Sequence, residues 1–173
     1  MFNFMQMDGG EQSQEMLYQM MRQQMRQHGI ALELEAGEDL PPVRGDAVQL
    51  EQVLLNLLGN ARDALLARDP ADKWIRLRVQ QGAALTVEIV VEDDAGGIDA
   101  DPIERVFEPF FTTKPPGKGT GLGLSVSYGI VDALDGQMRV ENTRVGARFT
   151  VRLPVWAGEE PTDRREAQRA TPP

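Results

Sequence analysis

Cysteine is absent from the 173 residues, which excludes disulfides, thiolate nucleophiles and cysteine-based zinc sites. Histidine occurs once, at His28, so no histidine-rich metal centre can form. Basic residues are the minority, with 18 Lys and Arg against 27 Asp and Glu and a formal net charge of -9. A surface of that sign argues against nucleic-acid binding and against contact with an anionic membrane, both of which need a positive face. No apolar run approaches the ~18–20 residues of a membrane span, and the N-terminus lacks the basic-then-apolar order of a secretory signal. A cytoplasmic segment without membrane contact is therefore expected. What remains, 41% hydrophobic and 26% charged residues, suffices for one domain with a real core.

The chain divides into three parts. Residues 1–12, with Phe2, Phe4, Met5 and Met7 before Asp8-Gly-Gly, read as a flexible or non-native leader. Residues 13–155 carry the periodic patterns, and 156–173 are polar and proline-rich, as expected of a disordered tail. A helix is predicted over Ser13 to Gln27, with Met16, Leu17, Met20, Met21 and Met25 in a narrow stripe. Ile30 to Glu35 alternates like a half-buried strand. Asp46 and Gln49 have the spacing of a capping box for a helix from Ala47 to near Asp69-Pro70. Its apolar face is broad: Leu50, Val53, Leu54, Leu57, Leu58, Ala61, Ala64 and Leu65. Alternating runs at 75–79 and 85–92 flank Gln81-Gly82 and read as a hairpin. A short helix near 102–106, a helix from about Leu122 to Leu134, and strands at 138–141 and 148–153 complete the order. Such a mixture implies an α/β two-layer sandwich, a mostly antiparallel sheet of about five strands with about three helices on one face.

Some polar residues do not fit these patterns. Asn56, Asn60 and Asp63 stand at i, i+4 and i+7 on a helix otherwise committed to burial, and asparagine is a mediocre helix former. They form either a solvated stripe or a set of oxygens converging on a cation or polar ligand. A hard cation such as Mg²⁺ accepts few protein oxygens when phosphates fill its shell. Asp93 ends a strand just before a Gly-Gly turn, as a plain turn aspartate or as a buried acceptor for an exocyclic amine, which would discriminate strongly among ligands. Between Lys118 and Leu124 three glycines alternate with Thr120 and Leu122 where a helix begins. Glycines allow positive φ and close backbone approach, and a first helical turn offers unpaired N–H groups to an anion. No Gly-Lys-Ser/Thr closes the loop and no strand precedes it, so neither a P-loop nor a dinucleotide fingerprint is present.

In order along the chain, Asn-x-x-x-Asn-Ala (56–61), Asp-x-Ala-x-Gly-Ile (93–98), Phe-Glu-Pro-Phe-Phe-Thr-Thr-Lys (107–114) and Gly-x-Gly-Thr-Gly-Leu-Gly-Leu (117–124) resemble the four boxes of the catalytic, ATP-binding domain of sensor histidine kinases. That domain belongs to the superfamily shared with gyrase, the Hsp90 chaperone and MutL, and its sandwich is the Bergerat-type fold. The resemblance runs from about Met16 to Leu153. It implies Asn60 as the Mg²⁺ ligand and Asn56 near the phosphates. Asp93 would accept the adenine amino group, with Gly97 and Ile98 passing beneath the base. Residues 109–118 resemble the ATP lid, with Thr113 and Lys114 toward the nucleotide and Lys114 reaching the γ-phosphate. Gly119, Thr120, Gly121, Leu122 and Gly123 would cradle phosphates, and Asp63 joins the nucleotide-binding set. The catalytic positions are then Asn56, Asn60 and Lys114, and the cofactors ATP and Mg²⁺.

Relatives of the gyrase type carry a water-activating glutamate at the position of Asn56. Asparagine is no base at neutral pH, so the resemblance favours a kinase over an ATPase. Three departures stand out. Ala95 replaces a glycine, Gly146-Ala147 replaces a Gly-Thr, and the phosphoacceptor is missing, since His28 precedes Gly29 at a helix end. The implied partner is a separate histidine-bearing dimerisation module, and through it a response regulator. Two alternatives stay open: a nucleotide-responsive interaction module without chemistry, and a serine kinase of the anti-sigma type.

Overall fold

The computed structural model describes residues 11–114 and 119–156, with side chains from residue 19 onward. Helix α1 spans Glu11–Gln27, strand β1 Ile30–Ala36, helix α2 Ala47–Arg68, strands β2 Lys73–Gln81 and β3 Thr86–Asp93, helix α3 Gly123–Ala133, and strands β4 Gln137–Asn142 and β5 Ala147–Pro154. A 3-10 turn covers Ile103–Phe107. The sheet runs β1-β2-β3-β5-β4, parallel between β1 and β2 and antiparallel elsewhere. The three helices contact one face of it. This is the expected Bergerat-type sandwich. Among the described residues no helix is long and apolar enough to cross a membrane.

Local chemistry explains the boundaries. Asp46 caps α2 by accepting from the Val48 amide at 2.8 Å, two residues on, in place of the reciprocal bond with Gln49 that a capping box would make. At the other end Asp69 takes the left-handed conformation, φ 47°, and its N–H donates to the Leu65 carbonyl at 2.8 Å. The β2–β3 connection is longer than the predicted Gln81-Gly82 turn. Residues 82–85 form the loop, with Ala84 and Leu85 both at positive φ. At the N-terminus, Glu11 and Gln12 already belong to α1, and the rest of the supposed leader, residues 1–10, lies outside the described residues. The methionine stripe is only partly a packing surface: Met25 is buried but Met20 is 64% exposed. Trp156 is not tail-like, since its N–H donates to the Pro42 carbonyl at 2.8 Å beside the Val43–Val155 bridge. Residues 157–173, the expected disordered tail, lie outside the described residues.

Alternation along the strands gives the sheet two unlike faces. Ile75, Leu77, Val79, Val87, Ile89, Val91, Phe149, Val151 and Leu153 are buried against the helices, which bring Leu50, Val53, Leu57, Leu58, Ala61, Leu65 and Val131. Asp93 and Asn142 continue this inner face at the ends of β3 and β4. The opposite face carries a row of charges in register across all five strands: Glu33, Arg76, Glu92, Arg148, Glu141. Opposite charges directly across a sheet attract, and ion pairs of 2.8, 3.2 and 2.9 Å join Arg76–Glu33, Arg148–Glu92 and Arg148–Glu141.

Candidate functional site

Asp93 is the one carboxylate buried in the described core, 4% exposed. Its Oδ1 accepts hydrogen bonds from the Ala95 amide at 2.9 Å and the Ala147 amide at 3.3 Å. Both bonds fall on one oxygen, which leaves Oδ2 to an external donor. Burial pushes its pKa above the ordinary 3.8, with Asp94 and Glu92 adding to the rise against the two backbone donors. A buried carboxyl with a raised pKa and one oxygen open to an outside donor has the chemistry to accept a hydrogen-bonding ligand.

The walls of this recess are backbone. Gly96 and Gly97 both adopt positive φ, 79° and 84°. The Asn142 side chain accepts from the Ile98 amide at 2.8 Å and donates to the Ile98 carbonyl at 3.0 Å, tying the Gly96–Ile98 turn to the end of β4. Gly146 lies against Asp93 so closely that any Cβ would overlap the Asp93 carbonyl. Ala95 stands buried where a glycine was expected. Its methyl faces the core and its amide serves the carboxylate. Sequence reasoning missed Asn142 and noted Gly146 only as part of the Gly146-Ala147 departure from Gly-Thr. The polar Asn142 at an inward strand position was the available signal.

The second group of residues lies along α2 and the start of α3. Asn56 donates through Nδ2 to the Gly123 carbonyl at 3.1 Å and the Ser127 hydroxyl at 3.0 Å. Ser127, fully buried and absent from the expected set, thereby joins the two helices. Asn60 Oδ1 accepts from Lys114 Nζ at 3.4 Å, and Asp63 Oδ2 from the same Nζ at 2.6 Å. Asp63 Oδ1 accepts from Arg62 at 3.0 and 2.8 Å. Burial raises the Asp63 pKa, but Lys114 and Arg62 outweigh it and the carboxyl ends below its ordinary value. The polar stripe is thus half-buried and partnered, not a solvated face. Its other end approaches the Asp93 recess, because a Cβ on Gly96 would lie 3.4 Å from the Arg68 guanidinium.

The aromatic box and the glycine loop are pinned together. Phe107 anchors the box, 5.2 Å from the Tyr128 ring and 6.3 Å from Phe149. Phe110, at φ 67° and 74% exposed, donates its N–H to the Gly121 carbonyl at 2.9 Å. Gly121, at φ 66°, leaves no room for a Cβ against the Phe110 backbone. A Cβ on Gly119 would lie 2.8 Å from the Thr112 hydroxyl, which also accepts from the Lys114 amide at 3.1 Å. Thr113 is exposed and outside this cluster. Thr120 accepts from the Leu122 amide at 3.3 Å, and Leu122 leads into Gly123, the first residue of α3. The first-turn amides of α3 have no partner within the helix. Residues 115–118, part of the lid-like stretch, lie outside the described residues. A separate crevice of about 370 Å³ between α3 and β4, lined in part by Asp132, Gln137 and Arg139, contains none of the box residues.

Residues 45–157 match the model of the family described as histidine kinase-, DNA gyrase B- and HSP90-like ATPases. The chain belongs to that family. Over 139 residues it is 50% identical to the two-component sensor PprA of Pseudomonas aeruginosa, covering 79% of this chain and 15% of the sensor. The chain therefore spans a small part of that relative's length. The catalytic domain of histidine kinase ThkA superimposes with a TM-score of 0.68 at 28% identity, covering 82% of this chain and 89% of that domain. Full-length ShkA in complex with AMPPNP gives a TM-score of 0.66 at 26% identity, over 83% of this chain and 30% of ShkA. Relatives of this domain are thus sensor histidine kinases, and its structural neighbours are histidine kinase catalytic domains.

Proposed function

We propose that residues 13–155 form a catalytic domain that binds Mg-ATP and transfers its γ-phosphoryl group to a histidine on a separate dimerisation module. The observation that carries this reading is Asp93, a buried carboxylate with one oxygen satisfied by backbone and the other left for a ligand donor. The adenine amino group is a donor of the right kind, and a base without it would leave the buried charge unpaired. That the structural neighbour ShkA forms a complex with AMPPNP supports nucleotide binding by a domain of this fold.

The phosphates would lie between α2 and the start of α3, where Gly119, Gly121 and Gly123 expose backbone amides and the helix end favours an anion. Asn60 fits a Mg²⁺ ion as a single hard oxygen donor. Among the described residues no group of three His, Cys, Asp or Glu could hold a metal, so the nucleotide's own phosphates would fill most of the shell. When bound, Mg²⁺ supplies neutralisation of charge on the phosphate oxygens. Lys114 would add a cation at the γ-phosphate. Asn56 holds α3 in place and has no basic group with which to activate water, so transfer outruns hydrolysis. In the transfer the bond between the γ-phosphorus and the ADP oxygen breaks, a phosphorus–nitrogen bond to the imidazole forms, and the imidazole proton leaves to solvent. The partner is a histidine-bearing helical module, with a response regulator downstream, in the cytoplasm.

The test is incubation of the chain with γ-labelled Mg-ATP and an isolated histidine-bearing hairpin dimer. Acid-labile label on the hairpin, lost with a His→Ala hairpin, is expected. A hairpin that stays unlabelled while nucleotide binds would favour the interaction module, and label on serine would favour the anti-sigma type.

A further inference from the structure

Asp63 offers each of its carboxylate oxygens to a different cation. Oδ1 is held by Arg62 at 3.0 and 2.8 Å, and Oδ2 by Lys114 at 2.6 Å. The same Lys114 ammonium stands 3.4 Å from Asn60 Oδ1, the oxygen assigned above to Mg²⁺. Lysine carries a compact point charge with three donors and no acceptor. Beside the Asn60 amide it presents to that oxygen the sign of charge the metal would bring. Mg²⁺ needs its oxygens at about 2.0–2.1 Å in a near-octahedral shell. An ammonium and a divalent ion compete for one amide oxygen at those distances, because like charges so close repel even in a partly exposed site.

We propose that Lys114 acts as the resident cation of the nucleotide-free site, and that Asp63 is a positioning residue that holds it there. Lys114 and Mg²⁺ then exclude one another at Asn60. When Mg-nucleotide binds, Lys114 would leave Asn60 and turn its ammonium to the γ-phosphate. Asp63 keeps Arg62 throughout, so its carboxylate stays neutralised when Lys114 leaves. The pair costs the chain some affinity for Mg-nucleotide, since it must break on binding, and it keeps the catalytic lysine engaged while no nucleotide is present. This rests on the Mg-nucleotide reading and adds a role for Asp63 that acts only through Lys114.

The experiment is a double-mutant cycle read by calorimetric titration of Mg-AMPPNP into the chain, D63N, K114M and the double variant. Asp63→Asn is expected to tighten binding by about three- to fivefold, the range of a partly exposed ion pair, and to have no effect in the K114M background. A second readout needs no nucleotide. The Lys114 ¹⁵Nζ ammonium resonance is expected to be visible in the free chain, slowed in exchange by Asp63, and lost in D63N. Weaker binding by D63N in both backgrounds would place Asp63 in the metal or nucleotide shell and overturn the proposal. A gain that persists with K114M would assign it to Arg62 or to net charge and overturn it equally. If none of the four chains binds, the nucleotide reading itself fails, whereas a normal Kd with no coupling sinks only the Lys114 exchange.

Discussion

Asp93 is a carboxylate whose burial works against the fold. Burial raises its carboxyl above 3.8, so the folded chain binds that proton more tightly than the unfolded one. The stability from this group is full below the unfolded pKa and is lost as pH rises through the raised folded value. Asp93→Asn keeps an oxygen for the Ala95 and Ala147 amides and carries no charge. Thermal melts should therefore find the variant at least as stable as the parent at neutral pH, with the difference growing as pH rises above the ordinary carboxyl value of 3.8. A variant that melts well below the parent at pH 7 would mean the carboxylate is a structural asset. Gly146→Ala should behave oppositely, because its Cβ overlaps the Asp93 carbonyl. A loss of about 3 kcal/mol or more in denaturant unfolding is expected. The sequence marked Asp93 and Asn60 as polar residues in a patterned background, and the family resemblance added Lys114. It could not reveal the Lys114–Asp63 pair, 51 residues apart, or the approach of Gly146 to the end of β3, since both depend on distant segments meeting in space.

Helix α2 is the element on which the site is strung. Asn56 reaches α3, Asn60 and Asp63 reach Lys114, and Arg68 lies beside the Gly96 turn. Its apolar periodicity and Asp46 cap were legible because both are local. The loop at 82–85 was read too short, since nothing local distinguishes Gln81-Gly82 as a turn centre from a strand end. Nor does alternation alone say that β1 pairs with β2 in parallel. That pairing follows from α2 crossing between them. The turn after β3 depends on a different element, β4, through Asn142. Removing both of its bonds to Ile98 with Asn142→Ala should cost about 1–3 kcal/mol of stability. It should also weaken nucleotide binding more than Mg²⁺ dependence, which titrations at two Mg²⁺ concentrations would separate. Equal effects on both would show that Asn142 acts on the whole site.

Across the whole molecule, the two faces of the sheet divide the work. The inner face buries the core and ends in the Asp93 recess, while the outer face is tied by the row from Glu33 to Glu141. Glu92 is the best-shielded acid of that row, its side chain 12% exposed. Glu92→Gln should lower stability by about 1 kcal/mol, and added salt should shrink the difference by screening. A loss that is unchanged in high salt would point to packing rather than charge. The outer row is paired within itself, and the four boxes lie on the helix side. The fold class was legible because four motifs and the alternating patterns agree.

The central claim is that adenine is held at Asp93 in a Mg-nucleotide complex. Calorimetric titration of Mg-AMPPNP into the parent chain and into folded Asp93→Asn tests it most directly. Saturable binding by the parent, weakened at least about tenfold by the substitution as expected for a lost charge-assisted hydrogen bond, is the predicted result. Equal affinity for both chains would contradict it and move the base away from Asp93.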